Sequence, residues 1–319
     1  MIFGFALLLI AGICQGSFGL GYKKYAPFSW AAFWGIYNVL CIITSVCFTW
    51  AVAPMLWSVI FEKGFIYWII PLFCGALWGL SAIGFSKGID KIGMSMVYGI
   101  SMGISTIVGS IIPMVMDRSF PEGQSAIMFG MGLVLTLAGV IIVTIAGVKR
   151  DGGVKGSVSG IILAILSGLG SGAMNVGFTH SESISEDFIR LGYSQAAVSS
   201  GKWLPVLVGG CLMGFIWCVG ELCVKHEWKT VTEKGSSRRT VKLFGVSIVW
   251  YAALLLYGLS ASMLGNMGSS VGWILFNALA LIISVLWGIK TSEWKNHKKG
   301  LLFTGCAILI IAWIFISLV

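Results

Sequence analysis

The chain has 319 residues, of which 57% are hydrophobic and only 10% are charged. A soluble domain carries about 25% charged residues, so this composition excludes a soluble protein and predicts an all-α protein that crosses the membrane several times. The formal net charge of +9 does not predict a nucleic-acid partner, because the basic residues are scattered among short loops and form no single patch.

Ten membrane spans are predicted from the stretches between charged residues, since about 20 apolar residues cross a bilayer. The N-terminal stretch is interpreted as the first span and not as a signal peptide, because it lacks a basic leader. The long uncharged run that follows Leu243 is divided at LGNMGSS, 264–270, where glycine and asparagine favour a turn. In chain order, the predicted spans are 2–21, 31–53, 64–86, 93–116, 125–148, 156–180, 195–220, 243–264, 269–289 and 300–319.

Basic residues alternate between the loops of this ten-span order. The odd-numbered loops hold 17 lysines and arginines, whereas the even-numbered loops hold three. Because cytoplasmic loops are enriched in these residues, the odd loops are predicted to be cytoplasmic and both termini to lie outside. The segment 224–242, between spans seven and eight, is predicted to be a solvated cytoplasmic loop that anionic headgroups of the lipid bilayer attract.

The second half of the chain repeats parts of the first half in the same order. The matching pairs are WGLSA (78–82) with YGLSA (257–261), KIGMSMVYGI (91–100) with NMGSSVGWIL (266–275), and Gly12 and Gly16 with Gly168 and Gly172. Five crossings place the second unit upside down, so we expect two inverted five-helix repeats, 1–150 and 151–319. Inverted repeats are typical of secondary transporters, which bind substrate near the midplane and alternate access by rocking one unit against the other.

Three segments carry a resemblance to a known family. They are GSFGLGYKKYAPFSWAAFWGIYNV (16–39), GALWGLSAIGFSKGIDKIGMSMVYGISMGISTIVG (75–109) and EWKN (293–296). These segments resemble the L-rhamnose–proton symporter family, a branch of the drug/metabolite transporter superfamily; the match is strong over residues 10–115 and looser through 180–240. The resemblance implies uptake of L-rhamnose or a similar 6-deoxyhexose, driven by protons, across the bacterial inner membrane.

Two alternatives to the symporter hypothesis make different demands on the sequence. Another carrier of the superfamily would move a different sugar, an amino acid or another metabolite without proton coupling. An intramembrane enzyme would need a catalytic group such as HExxH or two buried aspartates, and the sequence contains neither. No enzyme activity, metal or cofactor is therefore expected.

The residue that couples protons is not evident, because all twelve acidic residues lie in loops or near span ends. Lys202 is the only charge well inside a span, and Pro205 and Gly209-Gly210 follow it, so we expect a broken helix and a substrate or coupling site there. A lysine that reaches the outer headgroups is the alternative. His180 and Glu182, at the outer end of span six, are candidates for sampling protons, against an ordinary interfacial histidine beside a solvated loop that forms a short surface helix.

Amides and aromatic residues are the candidates for holding a sugar. Amides supply both donors and acceptors without a buried charge, whereas the alternative role is hydrogen bonding between helices. The amides in predicted spans are Gln15, Asn38, Asn175 and Asn277. Among these, Gln15 and Asn277 lie nearest the midplane.

Two aromatic pairs related by the repeat lie in opposite halves of the membrane. Trp78 and Tyr98 fall in the cytoplasmic half, and their repeat partners Tyr257 and Trp273 fall in the outer half. Aromatic faces stack on the C–H face of a sugar, and pairs placed in this way would form one gate on each side. Packing in the core or against lipid is the alternative.

Overall fold

The computed structural model describes residues 2–17, 20–21, 25–55, 66–153, 157–265 and 267–319. Within these ranges the regular structure is helical. The α-helices are α1 Ile2–Ser17, α2 Trp30–Val52, α3 Ile66–Ile92, α4 Met94–Met116, α5 Gly123–Arg150, α6 Val158–His180, α7 Glu182–Arg190, α8 Gln195–Lys225, α9 Ser236–Met263, α10 Gly268–Lys290 and α11 Gly300–Ser317.

The predicted all-helical membrane fold is confirmed. Nine of the described helices are long and apolar enough to cross a membrane, and α1 is a shorter apolar helix at the place of the predicted first span. The long uncharged run divides where expected, since α9 ends at Met263 and α10 begins at Gly268. Large apolar side chains such as Trp50, Phe73 and Val134 are exposed on the helix surfaces, as lipid contact requires.

The predicted break in the seventh span is wrong, because α8 continues without interruption through Pro205. The two glycines that follow serve close packing against α3 instead. A Cβ atom on Gly209 would lie 2.2 Å from the carbonyl oxygen of Leu72, and one on Gly210 would lie 2.2 Å from Cε3 of Trp78. Small residues allow membrane helices to approach closely, and neighbouring helices help a membrane helix tolerate proline.

The predicted loop 224–242 is only partly a loop. Helix α8 extends to Lys225 and α9 begins at Ser236, with a single 3₁₀ turn at Trp228–Val231 between them. On the opposite side of the molecule, the expected short surface helix is present as α7, whose buried Phe188 packs against α8.

The helices pack in two groups on either side of a cavity. Helix α6 packs against α3 and α4, and α8 packs against α3. Helix α1 packs against α9 and α10 in the other group. Helix α2 lies against both α8 and α9, and α5 pairs with α11.

Candidate functional site

A cavity of about 1660 Å³ penetrates deep into the helix bundle. Along α10 its lining extends from Trp273 to Gly288, a distance of about 22 Å at 1.5 Å per helical residue. The charged residues that line it lie at the helix ends that adjoin odd-numbered loops, and they mark the mouth. They are Lys87, Asp90, Lys91, Arg150, Asp151, Glu221, Lys225, Glu293 and the titratable His297.

Three of the four predicted amides line this cavity: Gln15, Asn38 and Asn277. The Oε1 atom of Gln15 and the Nδ2 atom of Asn277 are buried and have no hydrogen-bond partner among the described residues. Leaving a buried polar group unpaired costs about 1–3 kcal/mol. One acceptor and one donor on α1 and α10 are therefore available to a ligand with hydroxyl groups.

Asn175 is used differently, because it is fully buried, lies outside the cavity lining and has hydrogen bonds at both ends of its amide. Its Nδ2 atom donates to the carbonyl oxygens of Gly109 (2.7 Å) and Ser269 (3.1 Å). Its Oδ1 atom accepts a hydrogen bond from the Tyr257 hydroxyl at 2.6 Å. Asn175 thus joins α6 to α4, α9 and α10.

An aromatic cluster closes the end of the cavity that is remote from the charged mouth. Trp273 and Phe276 line the cavity, and Tyr257 packs behind them with ring centroids 5.4 Å and 5.2 Å away. Phe178 and Trp203 stack 4.5 Å apart and lie 5.7 Å and 5.9 Å from Tyr257. Tyr257 and Trp203 are completely buried, so the closure is a packed plug.

The other predicted aromatic pair lies in the open part of the cavity. Trp78 and Tyr98 both line it, but each packs against a different ring. Trp78 stacks on Trp250, with centroids 5.4 Å apart and 13° between planes, whereas Tyr98 packs edge-on against Phe85 at 5.9 Å. The two pairs therefore differ: Tyr257 and Trp273 are in contact and buried, and Trp78 and Tyr98 have separate partners beside open space.

Lys202 lies behind the aromatic plug and forms an ion pair with Glu182. The Lys202 side chain is only 10% exposed, whereas that of Glu182 is 62% exposed. The ammonium also lies 4.3 Å from the centroid of the Phe178 ring. Lys202 is thus paired inside the protein instead of reaching toward headgroups, and neither it, Glu182 nor His180 lines the cavity.

Asp117, the residue that follows α4, lies near this ion pair. Burial and the negative charge of Glu182 raise the pKa of the Asp117 carboxyl group, and the positive charge of Lys202 counteracts them. Three charged groups, one directly after α4 and the others on α7 and α8, therefore interact at the closed end of the cavity.

The mouth of the cavity holds ion pairs that the sequence did not predict. Glu221, near the end of α8, accepts from Lys87 of α3 at 3.2 Å and from Lys225 at 2.6 Å. Arg150 of α5 lies 3.2 Å from Glu293, in the connection between α10 and α11. Nothing in a single sequence indicates which of the many loop charges meet.

Two serine pairs that join α4 to α6 were also not predicted from the sequence, although α4 contains several serines. Ser101 donates to Ser167 at 2.8 Å, and Ser105 donates to Ser171 at 2.9 Å, so α4 and α6 are joined at two successive turns. The aromatic cavity residues Trp34, Tyr37 and Trp250 were missed as well.

An all-helical membrane bundle with a deep, one-sided cavity that carries unpaired amides belongs to the class of membrane carriers. The L-rhamnose-proton symport protein family matches this chain over residues 1–319, so the chain belongs to that family. The resemblance found in the sequence is confirmed, and the family is one of transporters and not of enzymes.

Proteins described as L-rhamnose-proton symporters are similar to this chain along most of their length. One from Salmonella enteritidis is 24% identical over 95% of this chain and 94% of its own, and one from Escherichia coli is 23% identical over the same shares. One from Mannheimia succiniciproducens is 25% identical over 91% of this chain and 90% of its own. These bacterial relatives and the nine long apolar helices identify a multi-pass protein of the bacterial inner membrane.

A solved crystal structure of a protein 13% identical to this chain has a TM-score of 0.66, covering 99% of this chain and 96% of that one. At such low identity the likeness shows the fold alone.

Proposed function

We propose that this protein takes up L-rhamnose or a similar 6-deoxyhexose together with protons, by alternating access across the inner membrane. The match to the symporter family over the whole chain carries the proposal. The cavity supports it, because Gln15 and Asn277 offer unpaired polar atoms to hydroxyl groups, and Trp78, Tyr98 and Trp273 offer aromatic surface to C–H groups.

The structure corresponds to the inward-facing state in this proposal. The mouth of the cavity lies beside the loops that hold 17 of the 21 basic residues, and such loops face the cytoplasm. With this orientation both termini lie outside, and the aromatic plug separates the cavity from the periplasm.

The contacts of four glycines support an inverted repeat of 1–150 and 151–319. The positions that a Cβ atom would occupy lie 2.6 Å from the Cβ atoms of these partners: Leu279 for Gly12, Ile283 for Gly16, Ile104 for Gly168 and Val108 for Gly172. Leu279 follows Ile104, and Ile283 follows Val108, by the same 175 residues that separate Trp273 from Tyr98. The same offset of 175 residues thus relates Tyr98 to Trp273 in the repeated sequence and relates the packing partners of the glycines to each other. Such a repeat is expected of the drug/metabolite transporter superfamily.

In this alternating-access proposal, the predicted site residues fall into two groups, one in the cavity that is open to the cytoplasm and one in the outer closure. Gln15, Asn38 and Asn277 meet the sugar from the cytoplasmic cavity. Asn175, Tyr257 and Lys202 belong to the outer closure and reach the sugar path when that closure opens, whereas Trp273 already lines the cavity. The proposed substrate-binding residues are Gln15, Asn38, Trp78, Tyr98, Asn175, Lys202, Tyr257, Trp273 and Asn277.

We assign the entry of the proton, and not its release on the cytoplasmic side, to the ion pair at the outer closure. Protonation of Glu182 from the periplasm removes its charge and weakens its bond to Lys202, which lies against the plug residue Phe178. Asp117, which follows α4, is a third charged group beside this pair, and His180 lies at the end of α6, two residues before Glu182. Opening of the plug then follows protonation.

Uptake of labelled L-rhamnose into proteoliposomes, with and without an inward proton gradient, tests the proposal. Gradient-driven accumulation is expected, and it should be lost in Glu182→Gln but kept in Glu186→Gln, which changes an exposed carboxylate on the same helix. Trp78→Ala and Trp273→Ala should impair transport while inserting normally. If the protein binds L-rhamnose without gradient-driven accumulation, it is not a proton symporter, and the uncoupled carrier is favoured. If it binds no 6-deoxyhexose, the proposed substrate class is wrong.

A further inference from the structure

Trp78 is held in one orientation by Trp250, which the sequence did not single out, and by Gly210. Trp250 stacks on it at 5.4 Å with nearly parallel planes, and Trp250 is itself only 4% exposed. The backbone of Gly210 abuts the six-membered ring of Trp78, since a Cβ atom there would lie 2.2 Å from Cε3. Trp250 therefore covers one face of the Trp78 indole, and Trp78 also lines the cavity.

Trp250 is supported in turn by further rings. Tyr37 packs edge-on against Trp250 at 6.3 Å, and Trp34 packs edge-on against Tyr37 at 5.7 Å. We call Trp34, Tyr37, Trp78 and Trp250 the aromatic wall; all four line the cavity. The wall comes from α2, α3 and α9, whereas the unpaired amides Gln15 and Asn277 come from α1 and α10, so the wall and these two amides are on different helices.

A 6-deoxyhexose also has its polar and apolar groups on different parts of the molecule. Its ring carries hydroxyl groups, while the C5–H group and the C6 methyl group adjoin each other and form an apolar edge. An aromatic face attracts such an edge. The 6-hydroxyl of L-mannose, which is otherwise identical to L-rhamnose, would be placed against the ring without a partner, and burying an unpaired hydroxyl is unfavourable.

We propose that Trp250 and Gly210 are positioning residues that fix Trp78 as the platform for the apolar edge of the sugar, and that this platform sets the preference for a 6-deoxyhexose over its 6-hydroxy counterpart. The inference rests on the proposed function and adds to it the determinant of selectivity.

Equilibrium binding of L-rhamnose and L-mannose to the purified full chain in nanodiscs tests the inference without needing a proton gradient. The measured quantity is the ratio of the two dissociation constants. An apolar site discriminates against an added hydroxyl by roughly 10–100-fold. In Trp250→Leu the stacked support is lost and this ratio should fall about fivefold to tenfold, mainly through weaker binding of L-rhamnose.

Gly210→Ala should lower the same ratio by displacing Trp78, and Trp250→Phe, which keeps a ring to stack on, should restore most of it. Trp50→Leu is the matched control, because Trp50 is 61% exposed on the outer surface of α2, and its ratio should equal that of the wild type. Thermal melting of each variant separates loss of folding from loss of selectivity.

An unchanged ratio in folded Trp250→Leu and Gly210→Ala would overturn the inference while leaving rhamnose transport intact. A wild type that binds neither sugar would overturn the proposed function and, with it, the inference. A ratio that falls equally in Trp50→Leu would also refute the role of the platform, because a lipid-facing tryptophan should have no influence on selectivity.

Discussion

Asn175 should hold the outer closure shut, and its removal should open that side. In Asn175→Ala the three hydrogen bonds to Gly109, Ser269 and Tyr257 disappear. Side-chain hydrogen bonds between membrane helices contribute about 0.6 kcal/mol each on average. The bonds to Tyr257 and Ser269 join the two sides of the closure, whereas the bond to Gly109 lies between α6 and α4 on one side, so the closure should weaken by about 1.2 kcal/mol. Since 1.4 kcal/mol corresponds to a factor of ten, the outward-open population should rise about sevenfold.

The outward-open population can be read from the labelling rate of one cysteine. Ser199, near the start of α8, is 2% exposed and lies against the Gly258 backbone at the closed end. In a variant whose eight native cysteines are replaced, Ser199→Cys should react with an impermeant maleimide only when the outer side opens. Asn175→Ala should then raise the labelling rate about sevenfold, and Tyr257→Phe, which loses one bond across the closure, about threefold.

Thr179→Ala is the matched control, because Thr179 lies one turn further along α6 and its buried hydroxyl has no partner among the described residues. Its labelling rate should match that of the unmodified reporter. Equal rates in Asn175→Ala and Thr179→Ala would refute the reasoning, as would a faster rate in Tyr257→Phe than in Asn175→Ala.

Three further predictions concern stability. Gly209→Ala should lower the free energy of unfolding by about 1–3 kcal/mol because its Cβ atom would meet backbone of α3, whereas Gly220→Ala, with nothing within 4 Å, should have no effect in thermal melts. Because the pKa of Asp117 is raised, its ionisation destabilises the fold as the pH rises through that pKa; Asp117→Asn should therefore melt higher than wild type at neutral pH, and the gain should vanish in acid. Glu182→Gln should melt lower than Lys202→Met, since it leaves the buried ammonium without its carboxylate; the reverse order would show that the pair does not compensate the burial of Lys202.

Hydropathy and charge were sufficient to locate the helices, because the bilayer requires long uncharged segments and the loops carry nearly all the charges. The same signals could not reveal tertiary partners. Lys202 meets Glu182 only because α7 folds back onto α8, and Pro205 leaves α8 intact because the neighbouring glycines pack against α3. Trp250 carries the same hydropathy as the lipid-facing Trp50, so nothing local to either residue distinguishes a cavity wall from a bilayer contact.

The packing of the helices also indicates which groups of helices should move relative to each other. The first helix of each proposed repeat packs with the other repeat: α6 lies against α3 and α4, and α1 lies against α9 and α10. The serine bonds between α4 and α6 lie within one group, whereas the bonds of Asn175 to Tyr257 and Ser269 join the two groups at the closed end. Opening the closed end must break the bonds of Asn175 to Tyr257 and Ser269, but it can leave the serine bonds between α4 and α6 intact. We therefore infer that rocking occurs between the exchanged groups α3–α4–α6 and α1–α9–α10, and not between 1–150 and 151–319 as whole units. Small residues along α4 then have two roles, since its serines bind α6 while Gly109 leaves room for Trp273 on the group that moves past it.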